Sequence, residues 1–241
     1  MNPKEWVVCT ISKVIRETPD TVTLRIQLPE NDNISFIPGQ YIMFGFLNGE
    51  ESNRTKFFSI SSAPISKDGI DITVKSEGAF STRMTKMKEG EKIKIRGPIG
   101  HFVFKDDYKK DLIMIAGGTG LAPIMSMIRY IVNRRLPNKI KLLYSVRSPE
   151  HILYKQELRK INELENITTT LTMTRLQETD KWDGNVGRIE KKVIEDQIED
   201  FKNSLFFICG PDKMIDDIIK ILREMGAGIG QIKVEKWGIG G

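Results

Sequence analysis

The chain has 241 residues, 39% of them apolar and 29% charged, with 20 glycines and 10 prolines; this is the composition of ordinary globular protein and excludes fibrous and disordered classes. Thirty-seven Lys and Arg against 32 Asp and Glu leave a formal charge of +5, but the signs are mixed along the chain with no arginine-rich arm, which argues against nucleic acid as a partner. Two cysteines, Cys9 and Cys209, and two histidines, His101 and His151, cannot assemble a zinc or iron-sulfur ligand set, so no metal is expected and redox chemistry would need an organic cofactor. The longest apolar runs, such as Leu112 to Ala116 and Leu205 to Cys209, fall far short of the roughly 20 residues that span a bilayer. Met1 to Val8 lacks the apolar region of a signal peptide, so a cytoplasmic protein with no membrane span is expected.

From Trp6 to about Phe104 the pattern is short, β-rich and punctuated. Val7, Cys9, Ile11 and then Val22, Leu24, Ile26, Leu28 alternate with polar residues, and Pro19-Asp20, Pro38-Gly39, Asn48-Gly49 and Asp68-Gly69 supply turns. Further strands are predicted at 41–46, 56–60, 70–75 and 92–96, with a helical turn or two over 81–87, and Gly97 to Gly100 reads as a tight turn. An antiparallel sheet or barrel over residues 1–107 follows.

After the charged run Lys105 to Asp111, apolar strands at 112–116, 140–146, 167–172, 205–209 and 231–235 alternate with helices near 121–133, 150–164, 188–199 and 211–225. Residues 108–241 are therefore predicted to form a doubly wound α/β domain with a parallel sheet, whose ligands sit beyond the carboxyl ends of the strands.

The strongest local signal runs from Leu112 through Ala116-Gly117-Gly118-Thr119-Gly120 to Pro123: a strand, a glycine turn and a helix start. Gly118 and Gly120 have the spacing of the first two glycines of a dinucleotide fingerprint, and Pro123 suits a first helical turn. A second strand-turn-helix is Phe206 to Met214, with Cys209-Gly210-Pro211 at the turn, which would set Cys209, Gly210 and Thr119 around one crevice. By residue type alone Cys209 reads as a buried small hydrophobe rather than a reactive thiol, with no His near it in sequence to act as a base. In the β-rich half, Arg54 to Pro64 combines cations, Phe57 and Phe58, and the hydroxyls of Ser59 and Ser61. Downstream Gly78 opens a short helix that Ser81 and Thr82 can cap while facing a phosphate.

Taken in order, these segments resemble the ferredoxin-NADP reductase family of flavoproteins over nearly the whole chain. Lys56-Phe57-Phe58-Ser59 corresponds to the family's flavin motif Arg-x-Tyr-Ser/Thr, Gly78 to Ser81 to its Gly-x-x-Ser motif, and Gly97 to Gly100 to its Gly-Pro-x-Gly segment. Ala116 to Pro123 and Cys209 to Met214 fit its two nicotinamide motifs position by position, Trp182 to Ile189 resembles its Trp-x-Gly segment, and Glu235-Lys-Trp237 its C-terminal Glu and aromatic. The resemblance implies a Greek-key β-barrel that holds FAD, an α/β domain that holds NAD(P)H, and hydride passing from nicotinamide to flavin.

On that basis Ser59, Cys209 and Glu235 are the expected catalytic groups. Lys56, Phe57, Phe58, Ser59, Ser61, Val74, Lys75, Gly78, Ser81 and Thr82 are expected at the flavin. Gly117, Gly118, Thr119, Gly120, Pro123, Arg147, Thr174, Arg175, Cys209, Gly210, Pro211, Met214 and Trp237 are expected at the nucleotide or the ring stack. Lys56 replaces the usual Arg, turning a bidentate fork into a point charge that Arg54 would assist, and Phe58 keeps the ring of the usual Tyr but lacks its hydroxyl. Ser81 and Thr82 supply a second phosphate site, which favours FAD over FMN.

The activity implied is an NAD(P)H-dependent flavoprotein reductase handing electrons to ferredoxin, free flavin or a partner protein. The alternatives are an electron-transfer subunit of a larger oxidoreductase and a flavin-binding module without turnover. The iron-sulfur centre that some relatives carry near the C-terminus is not expected, because the Cys ligands are absent. Arg147 after the second parallel strand and Thr174-Arg175 after the third lean toward NADPH, since an acidic residue that would reject a 2′-phosphate is missing at the strand end. The plainer alternative puts Arg147 on the pyrophosphate and Arg175 in solvent, with Glu150 and Glu178 available as partners for either.

Overall fold

The computed structural model describes residues 5–30, 32–64 and 69–236. Its first six strands are β1 (Val7–Thr18), β2 (Thr21–Gln27), β3 (Tyr41–Phe46), β4 (Thr55–Ser59), β5 (Ile70–Lys75) and β6 (Lys92–Ile99), with helix α1 (Ala79–Met84) before β6. They pair antiparallel in the order β4-β3-β6-β1-β2-β5. The two edges meet: Ile60 bridges Ile72, and the Ser61 amide donates to the Asp71 carbonyl at 2.8 Å. Closure of this kind removes exposed strand edges.

Alternation decides what lies inside. Val22, Leu24, Ile26, Ile70, Ile72 and Val74 point into a core completed by Ile11, Ile42, Phe44, Ile60, Phe80 and Ile93. The opposite face of the β2–β5 ribbon, with Thr21, Thr23, Asp71 and Thr73, is polar yet also buried.

One reading of this half needs correction. Gly97 to Gly100 is not a free-standing turn, because β6 runs on to Ile99, which pairs with Tyr41; Pro98 fits beside the register shift between Tyr41 and Met43, where the ladder is irregular. β1 extends to Thr18, well past Ile11, through register shifts at Ile11/Lys13 and Arg16/Thr18. Each shift flips the inward face and hides the strand from a period-two reading. Asp68 of the predicted Asp68-Gly69 turn lies outside the described residues.

The second half alternates β7 (Asp111–Gly117), α2 (Leu121–Arg134), β8 (Ile140–Val146), α3 (Lys155–Ile161), β9 (Ile167–Met173), β10 (Asn185–Val186), α4 (Lys191–Glu195), β11 (Ser204–Gly210), α5 (Asp212–Glu224) and β12 (Ile232–Lys236). The sheet is parallel throughout, ordered β10-β9-β8-β7-β11-β12, so strand order reverses between β7 and β11. The helix expected over 150–164 is shorter: a 3-10 turn at Pro149–His151 comes first, and Tyr154, left-handed at φ 50°, precedes α3. The helix expected over 188–199 is also shorter, since α4 buries only Ile194 and has little packing to extend it.

By contacts the described residues up to Lys105, together with Ala122–Arg134 of α2, form one compact unit. Those of Asp106–Leu121 and from Arg135 onward form the other.

Candidate active site

In the antiparallel unit the candidate residues gather at the end of β4. Lys56 is half-buried and Phe57 exposed, with its ring edge-on to Tyr41 at 5.3 Å. Phe58 packs edge-on to Phe44 at 6.1 Å, so the core braces one side of its ring. Ile60 and Ile72 form a bridged pair inside the core, which puts Ser59, Ser61, Asp71 and Thr73 on the other face. There Ser59 Oγ is buried without a hydrogen-bond partner. An unpaired buried hydroxyl costs about 1–3 kcal/mol, so this atom is poised to meet a ligand acceptor. Ser61, expected as a ligand contact, spends its hydroxyl on the Asp71 carbonyl at 3.2 Å. Arg54 is held by Glu51 at 3.1 Å, and Lys56 has no carboxylate within 4 Å among the described residues.

At the end of β5, Val74 belongs to the core and the Lys75 ammonium sits on Glu77 at 2.6 Å. α1 starts after Gly78, and neither Ser81 nor Thr82 caps it as expected. Both lie inside the helix, where Ser81 Oγ accepts from the Glu77 amide at 3.0 Å and donates to the Gly78 carbonyl at 3.3 Å. Thr82 shares a 2.7 Å hydrogen bond with Ser76. The two hydroxyls therefore brace the segment leading into the helix. A Cβ at Gly78 would meet nothing within 4 Å, leaving the backbone open to a phosphate. A cavity of about 500 Å³ flanks α1, lined by Ala79, Thr82, Arg83, Lys86, Met87 and Glu91. Its two cations escaped the sequence reading because Arg83 and Lys86 look like ordinary exposed helix charges.

In the parallel unit β7 runs into a 3-10 turn at Gly118–Gly120, and α2 follows with Pro123 in its first turn. The glycines divide in role. Gly118 is left-handed at φ 54° and faces open space, whereas a Cβ on Gly120 would lie 2.3 Å from the Cys209 carbonyl oxygen. Gly117 packs on Pro211 and Met214, and Gly210 packs on Gly117. Thr119 is half-buried in the turn, and buried Tyr144 donates to the Gly118 carbonyl at 3.3 Å. Register sets Cys209 between Ala116 of β7 and Glu235 of β12, at the carboxyl ends of the strands. Burial pushes the Glu235 carboxyl up to about 7.

Arg147 and Arg175 follow β8 and β9 side by side, the Arg175 amide donating to the Arg147 carbonyl at 2.8 Å. Thr174 Oγ1 donates to the Val146 carbonyl at 3.1 Å. Both guanidiniums are exposed, and neither has a carboxylate within 4 Å among the described residues; Glu150 lies 3.7 Å from His151 instead. Trp182 donates to the Asn185 carbonyl at 3.0 Å, tying the Trp-x-Gly segment to β10. Trp237 lies outside the described residues.

Two contacts were not foreseen. Ser126 Oγ donates to the Ser62 carbonyl at 2.7 Å, and Arg129 Nη1 to the Ser61 carbonyl at 2.6 Å. The available signal was two polar residues at i and i+3 within the mainly apolar run 121–132.

No helix among the described residues is long and apolar enough to cross a membrane, and none of them form a group of three or more His, Cys, Asp or Glu that could hold a metal ion. The chain matches the model of an oxidoreductase FAD-binding domain over residues 8–104 and that of an oxidoreductase NAD-binding domain over residues 114–220. It is 27% identical over 217 residues to NADH-cytochrome b5 reductase 2 of Lodderomyces elongisporus, covering 86% of this chain and 71% of that protein. It is 24% identical over 242 residues to the reductase component of propane 2-monooxygenase from a Gordonia species, covering 98% and 68%. A ferredoxin NADP+ reductase from Neisseria gonorrhoeae, solved with FAD and NADP, shares the fold at a TM-score of 0.82 and 23% identity, over 95% of this chain and 98% of that one.

Proposed function

Because the chain belongs to the ferredoxin-NADP reductase family of FAD- and NAD(P)-binding oxidoreductases, we propose that it carries hydride from NAD(P)H to FAD and electrons onward to a protein or small-molecule acceptor. The observation that carries this reading is the buried, partnerless Ser59 Oγ at the end of the flavin-motif strand. When bound, the flavin supplies the redox chemistry. This chain's residues bind, orient and exclude water. Ser59 would hold the flavin as a hydrogen-bond donor to N5, Phe58 would pack on the isoalloxazine, and Lys56 would meet the pyrophosphate. Gly78 gives the phosphates backbone access, and the α1 cavity has room for the adenosine half, which favours FAD over FMN.

The Gly118–Gly120 turn takes the nicotinamide dinucleotide's pyrophosphate. Thr119, Cys209 and Glu235 border the nicotinamide, and Glu235 can hold or release a proton near neutral pH. Arg175 takes the 2′-phosphate, with Arg147 beside it, while Thr174, whose hydroxyl donates to the Val146 carbonyl, braces the strand end. What supports NADPH is that neither guanidinium is engaged by a described carboxylate. The Lodderomyces relative is an NADH enzyme by name, so both nucleotides belong in the test. An anaerobic titration with NADH and with NADPH, following flavin absorbance, is the deciding experiment: bleaching is expected, more steeply with NADPH. Flavin that stays oxidised with both would leave a binding module without turnover. The likeness to a monooxygenase reductase component also supports a role as the electron-transfer subunit of a larger enzyme. A partner enzyme co-purifying in fixed ratio would establish that role.

A further inference from the structure

The segment Ser59 to Ser62 has nearly all its polar groups accounted for. The Ile60 amide donates to the Gln40 carbonyl at 2.9 Å and the Ser61 amide to the Asp71 carbonyl at 2.8 Å. The Ser61 hydroxyl donates to that same carbonyl at 3.2 Å, and the Ser62 hydroxyl accepts from the Asp71 amide at 3.0 Å. Asp71 is itself gripped by a two-pronged bond from Arg25, at 2.8 and 3.0 Å. The carbonyls of Ser61 and Ser62 are taken by Arg129 and Ser126, one turn apart on α2. Ser126 is fully buried, in a place where an apolar residue would pack without needing a partner. The hydroxyl left over is that of Ser59.

We infer that Arg129 and Ser126 are positioning residues for the flavin: by holding the two carbonyls they fix the backbone of the Ser59–Ser62 segment, and with it the place from which Ser59 Oγ is presented to flavin N5. This rests on the reading of Ser59 as the N5 donor. Hydrogen bonds from a charged donor to a backbone carbonyl are short and directional, and a donor misplaced by about 1 Å can cost about 100-fold in rate. The arrangement also explains why α2, which buries apolar side chains along most of its length, carries a cation and a hydroxyl on the side that meets this segment.

The test uses the full-length flavin-loaded protein and two readouts, the position of the flavin absorption bands and the rate of flavin reduction at saturating NAD(P)H. Arg129→Met is expected to shift the bands in the same direction as Ser59→Ala and to slow reduction by about tenfold or more. Arg129→Lys, which keeps one donor in reach, should restore most of both. In a Ser59→Ala background Arg129→Met should add nothing further, because it acts through that hydroxyl. If Arg129→Met folds poorly, as thermal unfolding of the flavin-free protein would reveal, Ser126→Ala takes its place with the same expected direction. Parent-like bands and rate in the Arg129 and Ser126 variants, beside altered ones in Ser59→Ala, would overturn the inference while leaving the Ser59 reading intact. Additive effects in the double variant would overturn it too. Parent-like behaviour of Ser59→Ala itself would overturn the Ser59 reading, and the inference with it.

Discussion

Glu235 and Arg175 are the two side chains whose substitution speaks most directly to chemistry. Folding lifts the Glu235 carboxyl from 4.5 to about 7, by burial alone. Between those values the folded chain binds the proton more tightly than the unfolded chain, so stability falls as pH rises through the window, and above it a half-buried carboxylate persists. Glu235→Gln should therefore stabilise the protein at about pH 8 and give little gain near pH 4.5, read by thermal unfolding at both. The pH profile of flavin reduction should bend near 7 in the parent and lose that bend in the variant. Arg175→Ala should lower kcat/KM for NADPH about 10- to 100-fold, the loss of one charge-assisted hydrogen bond of about 1.5–3 kcal/mol, and leave NADH unchanged. An unchanged ratio of the two would return Arg175 to the solvated surface.

The turn between β7 and α2 sets an open position, the proposed nucleotide contact, two residues from a tightly packed one. A side chain at Gly118 would project into open space and suffer only its left-handed backbone, at a cost of about 1–2 kcal/mol. At Gly120 it would strike the backbone of β11. Gly118→Val should block reduction by NAD(P)H while flavin stays bound, and Gly120→Ala should cost about 1–3 kcal/mol of stability through overpacking. Denaturant unfolding and nucleotide titration of both variants measure the contrast. Equal stability losses would show that both glycines serve packing alone.

For the molecule as a whole, bound flavin should be a large share of measured stability. At a free concentration 100 times Kd, FAD adds about 2.7 kcal/mol, which for a chain of this size raises Tm by about 5–10 °C. Heat release followed by chromatography should yield FAD; recovery of FMN would reassign the α1 cavity.

What this sequence determined by itself was whatever depends on near neighbours along the chain. The alternation in Val22 to Leu28, the apolar runs of β7, β8 and β11, and the glycine turns at Gly118 and Gly210 stand where the residues predict, because side-chain period and backbone sterics are local. The candidate residues were legible for the same reason, as strand-end motifs. Tertiary structure decided the rest. Whether a glycine admits a ligand or a neighbouring strand depends on β11 lying beside β7. Whether Ser81 caps a helix or braces the segment before it depends on where α1 begins. The pairing of Glu235 with Cys209 is a matter of register between β12 and β11. The Ser59 hydroxyl is buried without a partner beside Ser61 and Ser62, whose hydroxyls and carbonyls are taken by Asp71 and the two polar residues of α2. Each of these is a contact between residues distant in sequence, which only the folded chain brings within hydrogen-bonding range.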